Sequence, residues 1–84
     1  MEFSYDPRYN IAYLRLRTDI GGEVESIRIS DEVVVDMAPD GTVYGIELLN
    51  ANAQLSQPDS TELVVVNEAT GVRSALPLTG LAAD

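Results

Sequence analysis

Alternation of apolar and polar residues along the first half of the chain predicts β-strands. Residues 2–5 alternate and are followed by a turn-forming stretch at 6–10, and residues 11–17 alternate with period two. One side of this second strand carries Ala12, Leu14 and Leu16, and the other carries Ile11, Tyr13, Arg15 and Arg17. After a break at 18–22, residues 23–29 alternate again. We therefore predict three short strands before residue 30.

The clearest local signal is a hairpin around Pro39-Asp40-Gly41. Proline suits the first central position of a type I turn, and glycine suits the left-handed position that follows. Residues 33–38 and 42–48 flank the turn and are rich in β-branched residues. Pairing of Ala38 with Thr42 predicts that Asp36 lies opposite Tyr44. Both sides of the hairpin carry apolar residues, so we predict a central position in the sheet.

The pattern changes after the hairpin. Leu48, Ala51 and Leu55 have helical spacing in a segment without β-branched residues, which predicts a helix of about two turns that ends before Pro58. Residues 61–66 then predict a strand and residues 67–71 a turn. Residues 72–76 return as its partner, and Pro77 ends that strand because it has no N–H to donate.

These elements predict an α+β, mainly β fold. We expect an antiparallel sheet of four to five strands, one short helix after the central hairpin, and an extra C-terminal hairpin. The 84 residues make one small domain, with a core at 1–55, an extension at 56–78 and a frayed tail at 79–84. A chain of this length buries only about 60–65% of its unfolded surface, so its stability is marginal unless self-association adds to it.

Composition removes many kinds of chemistry. The chain has no cysteine, histidine or lysine, which excludes disulfides, thiolate or imidazole metal sites and the usual activated nucleophiles. The residues Asp36, Asp40 and Glu47 partly match a calcium-binding loop, but Ala38 supplies no side-chain oxygen at the third position. We therefore expect no catalytic residues, no metal and no cofactor.

Charge and hydropathy indicate compartment and partners. The formal net charge is −9, with 5 arginines against 14 acids, which opposes nucleic-acid binding. The first residues lack the features of a secretory signal, and the longest aliphatic run, 63–66, is too short to span a membrane, so we expect a cytoplasmic protein. The negative charge either keeps the protein in solution or attracts a basic protein partner. The acids expected to meet such a partner are Glu23, Glu25, Asp59, Glu62 and Glu68.

Paired carboxylates keep a second class of function open, a small carboxylate-based enzyme or ligand-binding protein. The available pairs are Glu23 with Glu25, Asp31 with Glu32, and Asp36 with Glu47. Asp36 is the best candidate for a perturbed group because it lies in an apolar hairpin. The simpler interpretation is a carboxylate at the sheet margin that pairs with Arg15 or Arg17.

The strand at 11–17 offers a candidate contact surface. Its side with Ile11, Tyr13, Arg15 and Arg17 is either a wet outer face or an interface, since tyrosine and arginine are enriched in interface cores. The small core favours contact. We therefore predict a homodimeric protein-interaction module.

Three blocks of sequence resemble a known family. They are Tyr5-Asp6-Pro7, then Ala12-Tyr13-Leu14-Arg15-Leu16, then a hairpin block from Val33-Val34-Val35-Asp36 through Asp40-Gly41 to Gly45-Ile46-Glu47-Leu48-Leu49-Asn50-Ala51. Together they resemble the YuzE-like family of uncharacterised small proteins over roughly the first 55 residues. The resemblance implies a compact antiparallel sheet with a short helix and no assigned activity. It permits an antitoxin-like or other partner-binding role and assigns no site residues.

Overall fold

A computed structural model describes residues 1–56 and 62–77. These residues form seven strands and one helix. The bounds are β1 Glu2–Asp6, β2 Ile11–Arg15, β3 Glu25–Arg28, β4 Val33–Met37, β5 Val43–Leu49, α1 Ala51–Leu55, β6 Glu62–Val66 and β7 Arg73–Pro77. The predicted class, an antiparallel sheet with one short helix and a C-terminal hairpin, is confirmed. The predicted frayed tail at 79–84 lies outside the described residues.

Strands β1 to β5 form one antiparallel sheet in the order β1-β2-β5-β4-β3. The β4–β5 hairpin is central, as its two apolar sides predict. Strands β6 and β7 form a separate two-stranded antiparallel sheet. Strand β3 is shorter than the alternation at 23–29 predicts, and α1 has five residues rather than two full turns. Leu48 belongs to β5, so the helical spacing that begins at Leu48 includes a strand residue.

The turn of the central hairpin forms as predicted, but its register does not. Ala38 N–H donates to the Thr42 carbonyl over 2.7 Å, and Gly41 takes the left-handed conformation with φ 89°. A bulge between Asp36 and Met37 then shifts the pairing, so Asp36 lies opposite Gly45 and not opposite Tyr44. A bulge gives one strand an extra residue, and every pair beyond it moves by one position.

The two faces of the five-stranded sheet follow from this register. The face that carries Ala12 and Leu14, here called the apolar face, consists of Phe3, Tyr5, Ala12, Leu14, Ile27, Val33, Val35, Ile46 and Leu48, with Glu25 and Met37 paired at its β3–β4 end. The opposite face, here called the polar face, carries Tyr13, Arg15, Ser26, Asp36 and Glu47, with Gly45 among them. Side chains on adjacent strands share a face when their residues are paired.

The fully buried part of the molecule is small. Among the described residues, the buried apolar side chains are Ala12, Ala38 and Ala51, and none of the large apolar side chains is fully buried. The helix α1 packs Ala51 against the end of the sheet near β2. A helix of five residues covers little of a five-stranded sheet. The apolar face therefore stays half-exposed across most of its width.

Candidate functional site

A hydrogen-bonded group of side chains occupies the centre of the polar face. The Tyr13 hydroxyl donates to Asp36 Oδ2 over 2.6 Å, and the Ser26 hydroxyl donates to Asp36 Oδ1 over 2.6 Å. These residues come from β2, β4 and β3, so the carboxylate joins three strands. Both of its oxygens accept a charge-assisted hydrogen bond, which is stronger than a bond between neutral groups.

Gly45 provides the space in which Tyr13 reaches Asp36. Tyr13 lies on β2 and Asp36 on β4, with β5 between them. The phenol ring crosses β5 directly above Gly45, where a Cβ atom would collide with the ring and its hydroxyl. Only glycine permits this approach. The ring of Tyr44 lies near that of Tyr13, with the two ring centroids 6.4 Å apart.

The surroundings of Tyr13 keep its hydroxyl protonated. Burial raises the pKa of Tyr13 well above its ordinary value, and the hydrogen bond to the Asp36 carboxylate and the nearby negative charges raise it further. A nucleophile or general base needs a shift in the opposite direction, towards the phenolate at neutral pH. The Tyr13–Asp36–Ser26 group therefore acts as a donor–acceptor bridge that fixes three strands.

The residues of the predicted contact surface have separate environments. Ile11, Tyr13 and Arg15 lie on the polar face, and Arg15 forms an ion pair of 2.7 Å with Glu2 on the edge strand β1. Arg17 lies beyond the end of β2 and donates through Nε to the Val43 carbonyl over 3.0 Å. The interpretation that Arg15 or Arg17 pairs with Asp36 is wrong, because Tyr13 and Ser26 occupy that carboxylate.

The carboxylate pairs do not assemble into a metal centre. Across residues 1–56 and 62–77, no group of three or more acidic side chains is arranged to hold a metal ion. Glu23 and Glu25 are exposed at the edge strand, and Asp31 and Glu32 lie in the turn between β3 and β4. Glu47 shares the polar face with Asp36 but is paired with Tyr13 and Val34 in the sheet register.

An open cleft of about 420 Å³ lies at the β1–β2 end of the polar face, beside Asp6, Arg8 and Tyr13. The one guanidinium in its lining is already engaged, since Arg8 donates to both oxygens of Asp6 over 3.0 and 2.9 Å. These bonds hold the pKa of the Asp6 carboxyl below its usual value. The ion pair is solvent-exposed and leaves no free cation in the lining to select an anionic ligand.

Asn10 holds the start of α1, a role that sequence reasoning missed. Its carbonyl accepts from Ala51 N–H over 3.0 Å, and its side-chain oxygen accepts from Asn52 N–H over 2.8 Å. These N–H groups belong to the first turn of the helix and have no partner within it. Asn10 and Asn50 both have positive φ, at 58° and 53°. Asparagine tolerates this conformation, so its position in two turns was the available signal.

Among the described residues, no helix has the length and apolar character of a membrane span.

No curated protein matches the chain, and no solved structure matches it. A family model described as a protein of unknown function, DUF2283, matches residues 2–52. This match runs from β1 into α1 and leaves the β6–β7 hairpin outside. It confirms the expected membership of a family without assigned activity, and the YuzE-like name stays a prediction. Since the model covers more than half of the 84 residues, the chain belongs to the DUF2283 family of proteins of unknown function.

Proposed function

We propose that the protein is a non-catalytic interaction module that works as a homodimer and buries the apolar face of its sheet in the dimer. The half-exposed apolar face carries this proposal. Phe3, Leu14, Val35 and Ile46 all retain solvent exposure, although they lie on strands with neighbours on at least one side. A stable sheet needs a second layer against its hydrophobic side, and the described residues supply only α1.

Two observations support the apolar face over the opposite one as the interface. Among its paired positions the one charged residue is Glu25, at the end of the edge strand β3, and charged residues are depleted at interface cores. On the polar face, the charged Arg15 and Asp36 already have partners within the chain. The surface formed by Ile11, Tyr13, Arg15 and Arg17 stays a prediction, and the experiment below includes it.

The chemistry of the polar face supports a role without catalysis. The Asp36 carboxylate accepts from two hydroxyls, so both of its oxygens are engaged. Tyr13 is held as a neutral phenol. The chain has no histidine, lysine or cysteine with which to activate a serine or threonine.

Dimerisation can be tested by sedimentation equilibrium at micromolar concentration. We expect twice the mass of one chain for the wild type. Ile27→Asp places a charge on the apolar face at a side chain that is 42% exposed in the single chain, so the chain can fold while the interface is disrupted. We expect its dimer dissociation constant to rise more than about tenfold, which corresponds to about 1.4 kcal/mol.

Tyr9→Asp is the matched control, because Tyr9 is also exposed but lies in the β1–β2 turn away from the apolar face. It should leave the dissociation constant unchanged.

Arg15→Ala tests whether the polar face is the interface. Weakening by Arg15→Ala without weakening by Ile27→Asp would move the interface to the polar face, and a monomeric wild type would refute the homodimer.

The acidity supports a basic protein as the partner of this module. The chain has a net charge of −9. Its exposed acids include Glu23, Glu25, Glu62 and Glu68. Charge of one sign accelerates association with an oppositely charged partner, and salt screens it over a Debye length of about 10 Å at 0.1 M. For a basic protein that co-purifies, we expect the association rate to fall steeply from low to physiological salt. Stopped-flow kinetics measures it, and a salt-independent rate would exclude electrostatic steering.

A further inference from the structure

The β6–β7 hairpin is apolar and exposed along its whole length. Its turn is well formed, since Asn67 accepts from Gly71 N–H over 2.7 Å through its carbonyl and from Ala69 N–H over 3.0 Å through its side chain. Every residue of both strands is nevertheless exposed. A two-stranded hairpin is marginally stable in water without a layer to pack on. This hairpin therefore needs a surface that covers it.

The two faces of the hairpin differ in charge. One face, here called the uncharged hairpin face, consists of Leu63, Val65, Ser74 and Leu76. Its three apolar side chains are 45%, 59% and 55% exposed. The other face has Val64 and Ala75 at its centre, with the charged residues Glu62 and Arg73 towards its ends. The uncharged face can be buried without desolvating a charge, and the other cannot.

We propose that the uncharged hairpin face of each chain packs on the apolar face of the sheet of a second copy, so that the two copies exchange hairpins. This inference rests on the proposed homodimer and names what covers its apolar face. Both surfaces are apolar, both are incompletely covered within one chain, and neither carries a charge at its centre. The family match ends at residue 52, so the hairpin lies outside the matched residues.

Area favours exchange in both directions over a single contact. A hairpin face of two five-residue strands covers about 160 Å² in projection, and the five-stranded face covers about 400 Å². Exchange between two copies forms the contact twice and buries four such surfaces, about 650 Å² in projection. The relief of leucine and valine side chains raises the accessible area towards the ~1,200 Å² at which specific interfaces begin. One contact alone buries half as much, about 320 Å² in projection.

Adjacent valines on opposite hairpin faces give a matched pair of variants in the full chain. Val65→Asp charges the uncharged hairpin face, whereas Val64→Asp charges the other face at the neighbouring position of the same strand. Both valines are exposed in the single chain, at 59% and 40%. We expect Val65→Asp to raise the dimer dissociation constant at least tenfold and Val64→Asp to change it less than threefold in sedimentation equilibrium. Circular dichroism verifies that both variants are folded.

Cross-linking identifies which copy supplies the hairpin. The chain has no cysteine, so introduced thiols are the only ones present. Val65→Cys is mixed with isotopically labelled Leu16→Cys or Ile27→Cys, whose side chains are exposed on the apolar side of the sheet, and a short bis-maleimide is added. Cross-linked species with one labelled and one unlabelled chain support the exchange.

Three other outcomes overturn the inference. Cross-links only within a Val65→Cys/Ile27→Cys double variant show that the hairpin packs on its own sheet. Dimers that withstand Val65→Asp but dissociate with Ile27→Asp show that two sheets pack on each other directly, which preserves the homodimer and removes the hairpin from it. A monomeric wild type refutes the homodimer itself and the exchange with it.

Discussion

The two faces of the five-stranded sheet differ in how far their side chains find partners within one chain. On the polar face, side chains distant in sequence bind one another, as Tyr13 and Asp36 do across a span of 23 positions. On the apolar face, apolar side chains are present, but the described residues place only the five-residue helix α1 against the sheet. The hydroxyl and carboxylate groups at the centre of the polar face thus have partners within one chain, and the apolar face is the one that we propose a second copy covers. The apolar residues of a strand do not by themselves reveal which side of the sheet is covered within one chain.

Among variants of the polar face, we expect Gly45→Val to lower the free energy of unfolding the most. The new side chain occupies the space of the Tyr13 ring, and the ring must leave its position and its bond to Asp36. We expect a loss of about 1–3 kcal/mol in the free energy of unfolding, the usual cost of overpacking. Urea denaturation measures it.

The same substitution in a Tyr13→Ala background is the control. There the space above position 45 is free, and valine is a better strand residue than glycine. Gly45→Val should then be neutral or stabilising. A loss of equal size in both backgrounds would show that the cost comes from the backbone and not from the ring.

A smaller effect is expected from Tyr13→Phe, which keeps the ring over Gly45 and removes the donor to Asp36. A hydrogen bond to a charged group contributes about 1.5–3 kcal/mol, and Ser26 continues to donate to Asp36, so we expect a loss near the lower bound. Tyr9→Phe is the control because that ring lies exposed in a turn. An equal loss in both variants would contradict a special role for the Tyr13 hydroxyl.

The pH dependence sharpens the same point. The pKa of Tyr13 is raised in the folded chain, so above pH ~10 the unfolded chain loses this proton first. The folded state then binds more protons than the unfolded state, and stability falls as pH rises. Below that pH the contribution is fully present. In Tyr13→Phe the fall above pH ~10 should be shallower than in Tyr9→Phe, and identical slopes would refute the linkage.

Local patterns predicted the elements of the fold, because alternation and turn residues act over a few positions. The hairpin at Pro39-Asp40-Gly41 and the later strand pair follow from such signals. The bulge beside Asp36 does not, since it is a property of how β4 pairs with β5 and not of the pattern along either strand. A shift by one position placed Gly45 instead of Tyr44 opposite Asp36. The predicted pairing of Asp36 with Arg15 or Arg17 is also wrong, because Tyr13 and Ser26 donate to that carboxylate.

Sequence reasoning also found part of the site. The sequence singled out Asp36 as a carboxylate in an apolar hairpin and Tyr13 as a candidate contact residue, but nothing in the chain order links them, and the structure joins them by a hydrogen bond. Their contact requires β2 and β4 to flank β5, which is a property of topology. The contacts of Asn10 with α1 are of the same kind, because they join positions 10 and 52.

The outer strands of the sheet have a consequence for aggregation. Strand β1 begins and ends with Glu2 and Asp6, and β3 begins and ends with Glu25 and Arg28. Short edges with charged ends are poor templates for addition of a foreign strand. The edges of the five-stranded sheet are therefore poorly suited to edge-to-edge polymerisation, whereas β6 presents a leucine and three valines at an exposed edge of the two-stranded sheet.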